Sequence, residues 1–311
     1  MAYLVFEEQG ECYLLMLAAA VQRHPVFFAN LLSGCLLVDA QGRRLDALDV
    51  WEAVANGRWQ HLLAHYLTLQ APGVMQQALH ANVVAIKRAV SRQDGVCTVF
   101  QEHEDTVWVC KGTLAQAADH TLTGLPISPG VAYDMHLRRL AARGDWAAWR
   151  QALEGFIAAV FQRFALSADS LQGEAIDAIA RNAVLDDRAG IAFFDLEFAD
   201  YTTPAKTFFI YRLCLSLVGR RGEYLADSGF TCLYELYCHL CDCFALDAAA
   251  YVADVRREAA FQAWVCARPG KSAKYFKGLQ AFAGRQTFTQ RLRRLRYALR
   301  LLGQRGWRFY D

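Results

Sequence analysis

Apolar positions recur along this chain at two distinct spacings, and the changes of spacing divide it. From Asp49 to Leu69 the residues Trp51, Val54, Trp59, Leu62 and Tyr66 fall on or near one face of a helix, and residues 10–80 as a whole predict a mostly helical segment with a turn at Gln41-Gly42. The period then shortens to that of a strand. Val83-Val84-Ala85-Ile86, the run Val96 to Phe100 and the run Thr106 to Cys110 are rich in β-branched and aromatic residues, and the last two flank the polar tetrad Glu102-His103-Glu104-Asp105. A small antiparallel sheet is expected over 81–125. Helical spacing returns after it. Ser128-Pro129 offers an N-cap and a first-turn proline for a helix to about Leu140, and Asp145 opens another whose apolar stripe is Trp149, Leu153, Ile157, Val160 and Phe161. Thr231 to Ala250 contains neither Gly nor Pro and predicts one continuous helix. Residues 286–302 place Phe288, Leu292, Leu295, Leu299 and Leu302 on one helical face, and Gly303 ends that helix. The expected order is a mostly helical segment (1–80), a β-rich part (81–125), a helical lobe (126–267) and a C-terminal tail (268–311), an α+β fold.

With 311 residues, 55% of them hydrophobic, the chain is long and apolar enough for one or two packed cores and too apolar for disorder. Its formal net charge of +2 argues against a nucleic-acid partner. That figure conceals a division. From Arg268 to Asp311 there are nine Arg, three Lys and one acid, a net +11, which leaves the first 267 residues at −9. Arg291, Arg293, Arg294, Arg296 and Arg300 occupy the flanks of the tail helix, and Trp307, Phe309 and Tyr310 follow it. An arginine-rich helix with an apolar face and adjacent aromatics suits an anionic membrane surface, reached through residues 285–311, where each basic residue adds about 1 kcal/mol. Docking of the same leucines on the acidic body is the competing reading, and a nucleic acid ranks third because no recognised binding fold accompanies the tail. The N-terminus Met-Ala-Tyr-Leu-Val-Phe-Glu-Glu carries acids where a secretory signal needs positive charge, and the apolar run from Tyr13 to Val21 is well short of the roughly 20 residues that span a bilayer. A cytoplasmic protein, peripheral on the inner face of the membrane, is expected.

The ten cysteines are expected to be buried thiols in such a compartment. Cys232, Cys238, His239, Cys241 and Cys243 cluster closely enough to raise zinc, but no second C-x2-C accompanies them. On one helix Cys238 and Cys241 would share a face while Cys243 would point elsewhere. His61 and His65 share a face at spacing four, without a following Glu or an obvious third ligand, so ordinary histidines are the better reading.

The chemistry-bearing segment is Glu174 to Phe198. It contains Asp177-x4-Asn182, a short strand, a turn at Asp186 to Gly190, a second strand and Asp195-Leu-Glu197. Phosphoryl transfer needs a carboxylate beside the attacking hydroxyl and oxygen ligands for Mg²⁺. A carboxylate and a carboxamide before one strand, and a carboxylate after its partner, supply that set. Taken alone, Asp177 and Asn182 also suit plain helix or turn caps.

In this spacing the segment resembles the catalytic and metal loops of the protein-kinase-like superfamily, especially aminoglycoside-phosphotransferase-type kinases. Pro204, the apolar run Phe208 to Arg212, and the upstream hairpin with Lys111-Gly-Thr-Leu114 resemble the kinase domains of bacterial O-antigen and lipopolysaccharide biosynthesis proteins. The resemblance covers about residues 83–215. It implies a two-lobe fold with a small antiparallel N-lobe sheet and a mainly helical C-lobe, flanked by the helical N-terminal segment and the basic C-terminal helix. It implies ATP and Mg²⁺ as cofactors, Asp177 as base, Asn182 and Asp195 as metal ligands with Glu197 as a further ligand, and Lys111 or Lys87 as the phosphate contact. Strand order favours Lys111, and Asp134 is the one plausible acidic partner. The expected acceptor is a hydroxyl on a saccharide or glycolipid of a surface polysaccharide. The chain departs from the pattern at Ala175, where the family loop carries His, and in lacking G-x-G-x-x-G. Those losses keep a non-catalytic kinase-like scaffold as the alternative. A glycosyltransferase ranks lower, for want of D-x-D and of a βαβ series.

Overall fold

A computed structural model describes residues 3–8, 11–17, 22–33, 45–58, 83–89, 96–103, 106–113, 124–186, 190–196, 198–218, 225, 227–266, 292 and 299. The fold is mixed α+β, with seven α-helices and short antiparallel sheets among these residues. Two compact units divide the chain: Met1–Val131 with Val184–Gly190, and Ala132–Ala183 with Ile191–Asp311.

In the first unit, β1 (Tyr3–Glu8) and β2 (Glu11–Leu17) form a hairpin, and β2 pairs antiparallel with β3 (Val83–Ala89). Residues 11–17, expected within a mostly helical segment, form a strand instead. Runs such as Glu-Cys-Tyr-Leu-Leu-Met-Leu are too short for periodicity to separate strand from helix, and the pairing with a strand some 70 residues downstream decides the matter. Helices α1 (Pro25–Ser33) and α2 (Ala47–Ala55) follow. They bury Phe28, Ala29, Val50, Trp51 and Val54. The Trp51 Nε1–H donates to Asn30 Oδ1 at 2.8 Å, and Asn30 Nδ2 donates to the Gly130 carbonyl at 2.9 Å. Asp46 caps α2 by accepting from the Leu48 N–H. The helix stops after Ala55 instead of reaching Leu69, because Asn56-Gly57 closes it, with Gly57 at φ 71°.

A second sheet has the order β4 (Val96–His103), β5 (Thr106–Thr113), β6 (Gly124–Pro126). The β4–β5 hairpin is the one expected, except that Glu102 and His103 belong to the strand and His103 pairs with Thr106. Short strands β7 (Val131–Ala132), β8 (Ala183–Asp186) and β9 (Gly190–Phe193) form a third sheet in that order.

The second unit is mainly helical. Ser128-Pro129 does not begin a helix: α3 spans Tyr133–Ala142, and β7 precedes it. The helix α4 (Trp146–Phe164) is capped by Asp145, which accepts from the Ala148 N–H at 3.0 Å, and its stripe Trp149, Leu153, Ile157 and Val160 is fully buried. Helix α5 (Lys206–Val218) buries Phe208, Phe209, Ile210, Tyr211, Leu213 and Cys214 in succession, the pattern of a helix enclosed on all sides. Around it lie α6 (Leu233–Cys243) and α7 (Tyr251–Cys266), whose Tyr237 and Tyr251 pack edge-on against Tyr211. Among the described residues no helix is long and apolar enough to cross a membrane.

The segment Thr231 to Ala250 is therefore not one helix; α6 ends at Cys243. The Leu246 N–H reaches the Cys241 carbonyl at 2.9 Å and the Ala245 N–H the Asp242 carbonyl at 3.2 Å, with Ala245 at φ 52°. This is the helix-terminating loop that glycine favours, built with a Cβ that the left-handed conformation penalises. The same loop at the end of α2 carries Gly57. Ala245→Gly is accordingly expected to stabilise the protein by about 1 kcal/mol, a shift to be read from urea unfolding. Equal or lower stability would show that the left-handed residue carries no strain.

Candidate functional site

The path from α4 to α5 is a chain of irregular turns held by backbone hydrogen bonds. After Phe164, the Gln172 N–H returns to the Phe164 carbonyl and the Leu171 N–H takes the Pro204 carbonyl, each at 2.9 Å. Gly173 then passes so close to the segment Phe198 to Tyr201 that a Cβ would lie 2.6 Å from the Tyr201 carbonyl oxygen. Only glycine fits that approach. A 3-10 turn, Gly173–Asp177, carries the chain to Asp177, and a second, Ala180–Asn182, ends at Asn182. Ala175, Ile176, Ala178, Ile179 and Ala180 are buried, so the loop is anchored by its small apolar residues.

Three hydrogen bonds fix what this loop presents. Asn182 Nδ2 donates to the Asp177 carbonyl at 2.9 Å. That bond assigns the amide, committing the nitrogen inward and leaving Oδ1 as an acceptor. The Asn182 carbonyl in turn accepts from the Phe194 N–H at 3.0 Å, immediately before Asp195. Behind the loop, Arg212 on α5 donates from Nε to the Ile176 carbonyl at 3.0 Å, and its Nη1 contacts both carboxylate oxygens of Glu258 on α7 at 2.9 and 3.0 Å. Gln262 Nε2 donates to the same carboxylate, and the Arg212 guanidinium lies 4.1 Å from the centre of the Phe261 ring.

These bonds link the Asp177 backbone through Asn182 to Phe194, the residue before Asp195. Asp177 is 6% exposed, Asn182 is half-buried and Asp195 is exposed. Asp195 sits at φ 56°, a left-handed conformation that costs a residue with a Cβ of order 1–3 kcal/mol and concentrates at functional sites. Glu197 lies outside the described residues. Asp134 is in the first turn of α3, half-buried. Lys87 and Lys111 lie on β3 and β5, in two different sheets, opposite Leu14 and Thr98; their side chains are outside the described set. So are His61 and His65, and the tail helix apart from Leu292 and Leu299, which are helical and exposed.

The cysteine reading holds for Cys110, Cys214, Cys232 and Cys241, all buried. Burial pushes the Cys214 thiol well up and that of Cys241 up to about 12. Cys238 is half-buried, and Cys243 is exposed. Two residues that sequence reasoning missed are Arg212, in its role as holder of the Ile176 carbonyl, and Glu258. The available signal was the buried face of α7, where Asp254, Glu258 and Gln262 stand among Tyr251, Phe261 and Val265. A polar residue at a core position demands a partner. Comparison with protein-family models, curated proteins and solved structures gave no match to this chain.

Proposed function

We propose that the chain is a protein-kinase-like phosphotransferase that uses ATP and Mg²⁺ to phosphorylate a hydroxyl of a sugar or glycolipid in bacterial lipopolysaccharide or surface-polysaccharide biosynthesis, at the inner face of the cytoplasmic membrane. The observation that carries this reading is the hydrogen-bonded run joining Asp177 through Asn182 to Phe194-Asp195. In this proposal Asp177 orients the acceptor hydroxyl and takes its proton. The donor set Asn182 Oδ1 and the Asp195 carboxylate is all oxygen, which suits Mg²⁺, and Glu197 follows on the same segment. The bound ion would neutralise charge on the transferring phosphate. Lys111, or Lys87 in its place, contacts the nucleotide phosphates, with Asp134 as the acidic partner. The exposed Leu292 and Leu299, seven residues apart in the basic tail, suit its apposition to an anionic lipid surface.

The competing reading, a non-catalytic kinase-like scaffold in a membrane-associated assembly complex, draws on the buried Ala175 in place of the family's His. Thermal melting separates the two. Mg²⁺–ATP at about 100 times its dissociation constant should stabilise a competent site by about 2.7 kcal/mol, raising the melting temperature, and Asp195→Ala should abolish the shift. No shift in the parent protein overturns the enzymatic reading.

A further inference from the structure

Helices α4 and α6 meet through side chains on both. Phe161 of α4 stacks edge-on against Phe244, the residue that caps α6, with ring centres 5.2 Å apart. Two turns earlier on the same face of α4 stands Glu154. Opposite it, His239 and Cys243 are four apart on α6, so both project from one side. Their potential ligand atoms form a nearly equilateral triangle. Cys243 Sγ is 3.6 Å from Glu154 Oε1 and 3.8 Å from His239 Nε2, and His239 Nε2 is 3.9 Å from Glu154 Oε1.

We infer that Glu154, His239 and Cys243 form a zinc site that ties α4 to the C-terminal end of α6. The dimensions fit. A point equidistant from the three atoms lies about 2.2 Å from each, within the range of zinc bonds to sulfur, nitrogen and carboxylate oxygen, and a tetrahedral centre would set the atoms about 3.4–3.6 Å apart. The donor set is selective: thiolate and imidazole suit zinc and disfavour Mg²⁺. Position adds to this. Cys243 is the last residue of α6, at the negative end of the helix dipole, which favours a cation. The Phe230 ring packs on the imidazole, 5.1 Å between centres, which limits its rotation. All three ligands are partly exposed, so an ion can enter and water can take the fourth position. The site uses none of the residues assigned to phosphotransfer.

The test uses the full chain, freed of metal and titrated with Co²⁺ and then Zn²⁺. One equivalent of Co²⁺ should give the near-ultraviolet charge-transfer band of a cobalt–thiolate bond, Zn²⁺ should displace it, and Zn²⁺ should raise the melting temperature. Cys243→Ser, a near-isosteric change at an exposed position, should remove the band and leave the metal-free melting temperature unchanged. Glu154→Gln and His239→Gln should weaken binding by more than the roughly 10–100-fold that losing an outer-shell partner costs. Cys238→Ser should change nothing. Absence of the band, its survival in Cys243→Ser, or its loss in Cys238→Ser overturns the assignment.

Discussion

Arg212→Ala is expected to destabilise the protein by about 3–5 kcal/mol, the penalty for removing one member of a buried ion pair and stranding the other. Both side chains are 10% exposed, and the contact to Glu258 is 2.9 Å. Truncation would leave the Glu258 carboxylate with Gln262 as its hydrogen-bond donor and would strip the buried Ile176 carbonyl of the Arg212 Nε–H. Arg212→Lys should recover little. An ammonium cannot both grip the carboxylate and reach the carbonyl as the guanidinium does through Nη1 and Nε. Converting the pair to apolar residues, Arg212→Met with Glu258→Leu, should restore much of the stability, because two buried charges then need no partners. It would not restore the hydrogen bond to Ile176, one residue before Asp177. The double variant therefore separates two roles: recovered urea stability with turnover still depressed marks Arg212 as a positioning residue for the Asp177 loop. Arg212→Ala within about 1 kcal/mol of the parent would show the pair to be dispensable.

This pair also marks the limit of what the primary structure disclosed. The α4 helix was legible because a capping Asp145 and an unbroken 3.6-residue stripe agree. The strands β8 and β9 and the loop bearing Asp177 and Asn182 were legible because short-range spacing determines them. By contrast, β1 and β2 were hidden by dependence on a distant strand. Arg212 and Glu258 are 46 residues apart on separate helices, and Glu154 and Cys243 are 89 apart. No local pattern couples such positions; the packing of α4, α5, α6 and α7 does. What the residues did offer was a one-sided clue, a charged or polar side chain placed on an apolar face.

Asp177→Asn is expected to lower phosphotransfer by roughly 10²–10⁴-fold, the usual contribution of a positioned general base. The substitution keeps the size of the side chain and leaves both backbone features intact, the Ile176 carbonyl held by Arg212 and the Asp177 carbonyl held by Asn182. Neither depends on the carboxylate. The Mg²⁺–ATP thermal shift, taken from each protein's own ligand-free melting temperature, should therefore match the parent, and the chemical step should fail. Asn182→Ala should behave differently. It removes a proposed metal ligand and also the clamp on Asp177, so nucleotide-dependent stabilisation and turnover should fall together. The contrast identifies the chemistry: a carboxylate that merely caps the 3-10 turn would show equal turnover in Asp177→Asn and the parent. A fold supported by Asp177 itself would show a stability loss of the same order as Arg212→Ala. Turnover lost at unchanged stability and unchanged nucleotide binding is the one result that assigns Asp177 to proton transfer.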